Sequence, residues 1–239
     1  MAHTAESILK RLRSMGSEKN RQGMARFGIN AKNAYGVSIP DLRQLGKKVG
    51  KDHKLAAELW QTGVHEGRLL AAFIDDEAKV TSAQLERWVK DFDSWDVCDQ
   101  CCSSLFDKTP FALEKAVQWS RRREEFVKRA GFVLMASLAV HEKRMPDAEF
   151  IRFLRRVREE SHDERNFVRK AVNWALRQIG KRNKSLNTAA IGIARQISRQ
   201  DSPAARWIAS DALRELTGSK VRTILVRKAS AGRALSPSI

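Results

Sequence analysis

The chain has 239 residues, of which 42% are hydrophobic and 31% charged, a balance that supports a folded core and excludes an intrinsically disordered chain. Lys and Arg number 45 against 28 Asp and Glu, a formal net charge of +17, and such an excess attracts polyanions, of which nucleic acid is the commonest. No apolar run approaches the roughly 18 residues of a membrane span.

In chain order, the opening stretch MAHTAESILKRLRSMGS lacks the apolar core and cleavage site of a secretory signal. It reads as a short amphipathic helix with Ile8, Leu9 and Leu12 on one side, and a cytoplasmic location is expected. Three- and four-residue apolar spacing recurs along the whole chain, with no convincing two-residue alternation. In GVSIPDLRQLGKKVG, Ser38 can cap a helix, Pro40 and Asp41 suit its first turn, and Lys47, Lys48 and Gly50 suit its end. The same rhythm predicts helices at about 52–62, 65–75, 81–92, 94–106, 110–119, 122–141, 146–160, 165–181, 185–199 and 203–216. Thr81, Asp147 and Asp163 stand near predicted starts and are expected caps. The fold class is therefore all-α, with antiparallel helix pairs stacked side by side as a curved solenoid of degenerate repeats.

The expected organisation is one helical-repeat domain over 1–216 and a basic tail over 217–239. No acidic residue follows Glu215, whereas Lys220, Arg222, Arg227, Lys228 and Arg233 do. Such a tail either stays flexible and adds phosphate contacts, or packs its VRTILV segment on the last helix.

Three segments depart from ordinary core and surface patterning. In DFDSWDVCDQCCSSLF, helical geometry puts Cys98, Cys101, Cys102 and Leu105 on one narrow stripe, with Trp95 and Asp99 together on its shoulder. The cysteines are the only three in the chain, and the five histidines form no ligand pair at motif spacing. Small buried residues are expected there, with no metal and no cofactor. Trp95 and Asp99 fit either a boundary tryptophan beside a salt-bridged aspartate or a partly desolvated functional carboxylate against an indole.

In EEFVKRAGFVLMASLAVHE the helix is apolar almost all round. Arg129 enters near its N-terminal end, where the dipole disfavours cations, so an internal carboxylate or a phosphate is expected to meet it. In NFVRKAVNWALRQIGKRN, Val168, Ala171, Val172, Ala175 and Ile179 share a buried face. Trp174 stands about 120° away among Lys170, Arg177 and Lys181. It either packs on a neighbouring helix or presents a π-face to a nucleic acid.

These segments, with FGINAKNAYGVSIPDLRQLGKKVG near the start, resemble the DNA alkylation repair family, the AlkD-type DNA glycosylases built from HEAT-like helical repeats. The resemblance runs from about Ser7 to about Leu216. In that family the W-D-x-x-D segment supplies a tryptophan and the catalytic aspartate, which would here be Trp95 and Asp99. The tryptophan of R-K-A-x-x-W-x-L-R, here Trp174, forms the opposite wall, and the arginine opening the long buried helix, here Arg129, meets the DNA backbone. The family motif often has two adjacent aromatics before the aspartate, where this chain has Ser94–Trp95.

The resemblance implies a monomeric, monofunctional DNA glycosylase acting in base excision repair. It would excise cationic N-alkylated purines such as 3-methyladenine and 7-methylguanine from double-stranded DNA, without a tight base pocket. Lys128, Arg169, Lys170, Arg177 and Lys181 are the expected phosphate contacts, and the DNA-bound protein would be nucleoid-associated. The alternatives are a non-catalytic HEAT-like-repeat protein that binds damaged or branched DNA, and a helical scaffold without DNA affinity.

Overall fold

The computed structural model describes residues 3–234, and they form an all-α protein: fourteen α-helices and a 3-10 turn, with no strand among the described residues. The last five residues of the expected 217–239 tail lie outside them. The chain divides into two compact units, the first ending at Ala112 and the second beginning at Leu113. No helix among the described residues is long and apolar enough to cross a membrane.

The first unit holds α1 (Ala5–Ser14), α2 (Glu18–Arg26), α3 (Ile39–Val49), α4 (His53–Gln61), α5 (His65–Ile74), α6 (Ser82–Lys90) and α7 (Trp95–Ser104), followed by the turn Phe106–Lys108. Helices α3, α5 and α7 pack in a row, and α4 packs on α5. Trp60 of α4 stacks on Trp88 of α6, with centroids 3.9 Å apart and planes 3° apart, so even-numbered helices meet as well. Phe92 and Phe106 extend this aromatic core.

The second unit holds α8 (Ala112–Trp119), α9 (Glu125–His141), α10 (Asp147–Glu160), α11 (Asn166–Gly180), α12 (Lys184–Ile197), α13 (Pro203–Leu216) and α14 (Ser219–Ala234). Here α9, α11 and α13 form one row and α10 and α12 another, with consecutive helices in contact. Short connections make such neighbours antiparallel, which is the two-layered packing of a HEAT-like repeat. Helix α9 is the most buried, with side chains from Ala130 to Met135 wholly enclosed apart from Gly131. At Gly131 a Cβ would fall 2.3 Å from the backbone nitrogen of Ser120, so glycine permits the close approach of α9 to the end of α8.

Side-chain caps set seven of the fourteen helix starts among the described residues. Thr4, Ser17, Ser38, Asp52, Thr81, Asn183 and Ser202 each accept a hydrogen bond from a backbone N–H three residues on. Two expected caps do not form. Pro146 caps α10 while Asp147 accepts instead from Asn183 Nδ2 at 2.9 Å. Asp163 lies two residues before the Arg165 cap of α11 and pairs with Arg165 and Lys128. Both carboxylates were claimed by distant or flanking donors that spacing alone does not reveal. Residues Ser219–Ala234 are helical, with Val221 buried and Ile224 and Val226 exposed.

Candidate active site

Helix α7 shows why Trp95 and Asp99 stand where they do. Cys98, Cys101, Cys102 and Leu105 are completely buried on one face, leaving Trp95 and Asp99 half-buried on its flank. Burial pushes the Cys101 and Cys102 thiols well above their usual range, so these two stay protonated in the core.

The N-terminus of α7 is fixed by a polar network. Asp96, buried, accepts from the Ser94 hydroxyl and lies 2.9 Å from Nε2 of His65, the first residue of α5. The Trp95 indole N–H donates to the carbonyl of Phe27 at 2.9 Å, and Asn30 Nδ2 donates to Asp93 at 2.8 Å. The segment between α2 and α3 is thus latched to the start of α7. Glu66, fully buried, anchors that segment by accepting from the backbone N–H groups of Tyr35, Gly36 and Val37. Gly36 has φ +81°, and a Cβ there would lie 2.2 Å from the Ser17 carbonyl oxygen, so glycine is required.

Burial opposes charge on His65, but the Asp96 hydrogen bond and the charges of Asp96, Glu66 and Asp93 outweigh it and raise its pKa above 6.5. Burial likewise opposes charge on Asp96, and the His65 and Ser94 bonds outweigh it, holding its pKa below 3.8. The raised His65 contributes stability that is complete below its unfolded pKa and is lost as pH rises through its folded pKa. The depressed Asp96 contributes stability present above its unfolded pKa and lost as pH falls through its folded one. Stability against urea should therefore fall as pH rises above about 6.5, through the raised folded pKa of His65. His65→Gln should remove that portion of the slope; an unaltered slope in the variant would place the titration elsewhere.

In the second unit, Arg129 is buried near the start of α9, and its Nη1 donates to the carbonyl of Phe167 in the first turn of α11 at 2.6 Å. The expected buried face of α11 is present, with Val168, Ala171, Val172, Ala175 and Ile179 fully enclosed and Trp174 half-buried outside it.

The cations expected to meet phosphate differ in how they are held. Lys170 is exposed, and the Arg169 guanidinium lies 5.3 Å from the centroid of Trp207, itself 39% exposed. Arg177 contacts Asp211 at 2.7 Å and Glu215 at 2.5 Å, and Lys181 contacts Glu215 at 2.6 Å, tying α11 to α13. Burial pushes the Asp211 carboxyl up, but Asn173 and Arg177 outweigh it and keep its pKa low. Lys128 pairs with Glu160 at 2.6 Å and Asp163 at 3.3 Å.

The structure thus puts Trp95 and Asp99 on one helix of the first unit, and Arg129 and Trp174 on two packed helices of the second. Sequence reasoning missed the exposed Phe27 ring, the Glu66 anchor and the Arg169–Trp207 pair. An apolar residue following MAR and preceding a glycine was the one available signal for Phe27.

A family model described as DNA alkylation repair enzyme matches residues 8–216. The uncharacterized protein Lin0241 of Listeria innocua serovar 6a is 27% identical over 168 residues, which is 69% of this chain and 73% of that protein. A solved structure matches with a TM-score of 0.75 over 90% of this chain and 96% of its own. That protein is described as one of a new family related to the HEAT-like repeat DNA glycosylases, with affinity for branched DNA structures. At 18% identity the likeness is one of fold. With the match spanning residues 8–216, the chain belongs to the DNA alkylation repair enzyme family.

Proposed function

We propose that this chain is a monofunctional DNA glycosylase that hydrolyses the N-glycosidic bond of cationic N-alkylated purines, such as 3-methyladenine and 7-methylguanine, in double-stranded DNA. The observation that carries this reading is the half-buried Trp95–Asp99 pair on α7, set beside a fully buried stripe in a chain of net charge +17. A carboxylate facing a polyanion is repelled by it, so placing Asp99 against DNA costs affinity, which fits a chemical role better than a binding one.

The chemistry asks for a negative group. An N-alkylated purine already carries positive charge, so the C1′–N bond breaks with its electron pair passing to the base, which leaves neutral. Positive charge then moves to the deoxyribose as an oxocarbenium ion. Asp99 stabilises that charge by fixed electrostatics and orients the attacking water, whose oxygen bonds to C1′ and whose surplus proton is released. An abasic site and a free base result.

Each unit offers an indole face to DNA, Trp95 beside Asp99 in the first and Trp174 in the second. Arg129, held at the start of α9, offers a guanidinium to the backbone near the lesion. Lys128, Arg169, Lys170, Arg177 and Lys181 supply phosphate contacts, with Lys170 already exposed and the ion-paired cations exchanging a carboxylate for a phosphate.

A second reading, a binder of branched DNA without catalysis, is favoured by the description of the solved structure with the same fold. Incubation with a methylated duplex, with free bases measured by mass spectrometry, separates the two. The glycosylase reading expects free 3-methyladenine or 7-methylguanine and a matching count of abasic sites. Tight binding to a four-way junction with no base released from any methylated duplex would favour the second.

A further inference from the structure

The far ends of α9 and α11 carry a second cationic site that the lesion chemistry leaves unused. Arg182, just beyond α11, donates through Nη1 to the Ala139 carbonyl at 3.3 Å, and through Nη2 to the carbonyls of Lys143 at 3.0 Å and Met145 at 3.1 Å. Its guanidinium lies 4.4 Å from the centroid of Phe150. Lys143 donates to the Val140 carbonyl, and Lys228 of α14 donates to the carbonyl of Lys181, the C-cap of α11, at 2.7 Å. These groups, with Asp147 and Asn183, line a cleft of about 410 Å³.

C-terminal capping accounts for part of this cluster but not all of its charge. Each helix end supplies about half a negative charge, so the two ends offset roughly one of the three cations. Asp147, bound by Asn183, offsets another. Glu142, which acts on Arg182, and its near neighbour Arg144 add one charge of each sign, and Lys181 is matched by Glu215. About one positive charge is left over. Burial pushes the Lys228 pKa down, and Lys143, Arg182 and Lys181 push it further; burial lowers that of Arg182 as well, against the charges of Asp147 and Glu142.

The geometry points to a phosphodiester-binding site formed by Lys143, Arg182 and Lys228, which takes the backbone of the bound DNA away from the residues assigned to the lesion. This rests on the DNA glycosylase reading above. A phosphodiester monoanion matches the residual charge: the Lys143 and Lys228 ammonium groups each have donors beyond their one carbonyl bond to meet its oxygens, while Arg182, held by three carbonyls, adds a fixed positive charge. Arg129 and Ala139 are separated by about 15 Å of α9, and Trp174 and Lys181 by about 10 Å of α11. A DNA strand advancing 3.4 Å per nucleotide crosses those lengths in about three to four nucleotides.

The test is the salt dependence of duplex binding by the full chain and by the double variant Lys143→Gln/Lys228→Gln, which leaves the Arg182 bonds in place. The slope of log Kobs against log salt should become shallower by about 1, the loss of one phosphate contact at about 0.9 per contact. Base release at saturating DNA should match wild type. An unchanged slope with base release intact overturns the site and spares the glycosylase reading. A shallower slope in a chain that releases no base keeps the site and removes that reading. Calorimetric titration with inorganic phosphate at constant ionic strength identifies the ligand. Saturable heat lost in the double variant, together with an unchanged duplex slope, would assign the cleft to free phosphate and overturn its role on DNA.

Discussion

Asp99→Asn is expected to slow release of an alkylated purine from duplex DNA by about 100- to 1000-fold, the range observed when one preorganised electrostatic contact to a developing charge is removed. Asparagine keeps the size and one acceptor oxygen but discards the charge that would oppose the oxocarbenium ion. The same change should leave duplex affinity equal or slightly tighter, because a negative group facing phosphates has been neutralised. Opposite signs for rate and affinity distinguish a chemical role from a structural one. Asp99 is half-buried, so the thermal midpoint should move little. Single-turnover base release and equilibrium binding on the same methylated duplex provide both readouts, and an unchanged rate would remove Asp99 from the chemistry.

The largest expected effect on stability lies at Glu66. Its carboxylate is fully buried and accepts from three consecutive backbone N–H groups, of Tyr35, Gly36 and Val37. Glu66→Ala leaves those donors without their acceptor and opens a cavity, at a cost of about 3–5 kcal/mol. For a chain of this size each kcal/mol lowers the midpoint by about 2–4 °C. The released segment carries the Phe27 carbonyl that receives the Trp95 indole N–H. Base release should therefore fall even at temperatures where α7 stays folded. Glu66→Gln keeps one acceptor oxygen and should lose less on both counts. A variant within about 1 kcal/mol of wild type in urea unfolding would show that the three N–H groups find other partners.

The helices were legible because nearly all of them bury an apolar stripe. The spacing that predicted the Cys98–Cys101–Cys102 seam and the Val168–Ile179 face found both completely enclosed. Helix α2 escaped because EKNRQGMAR buries no residue at all; its Ser17 cap and the Glu18–Arg21 pair at 2.7 Å hold it instead. The candidate site was legible only as residue types on helix faces. A helical wheel puts Arg177 and Lys181 away from the core of α11, but it contains nothing of Asp211 and Glu215 on α13, which meet them there. Nor does it show that Arg129 would find a backbone carbonyl, or that Asp96 would find His65 some thirty positions earlier. Local periodicity reports burial; the partners of polar groups are fixed by tertiary packing.

The claim on which this account rests is that the Asp99 carboxylate faces the sugar that loses its base. A crystal structure of the chain on a duplex bearing a cationic nitrogen-containing sugar, a mimic of the oxocarbenium ion, measures this directly. An Asp99 oxygen within about 3–3.5 Å of the C1′ position, or of a water poised on it, with the Trp95 indole against the same sugar, is the predicted result. A duplex bound with that sugar well beyond reach of Asp99 would contradict it.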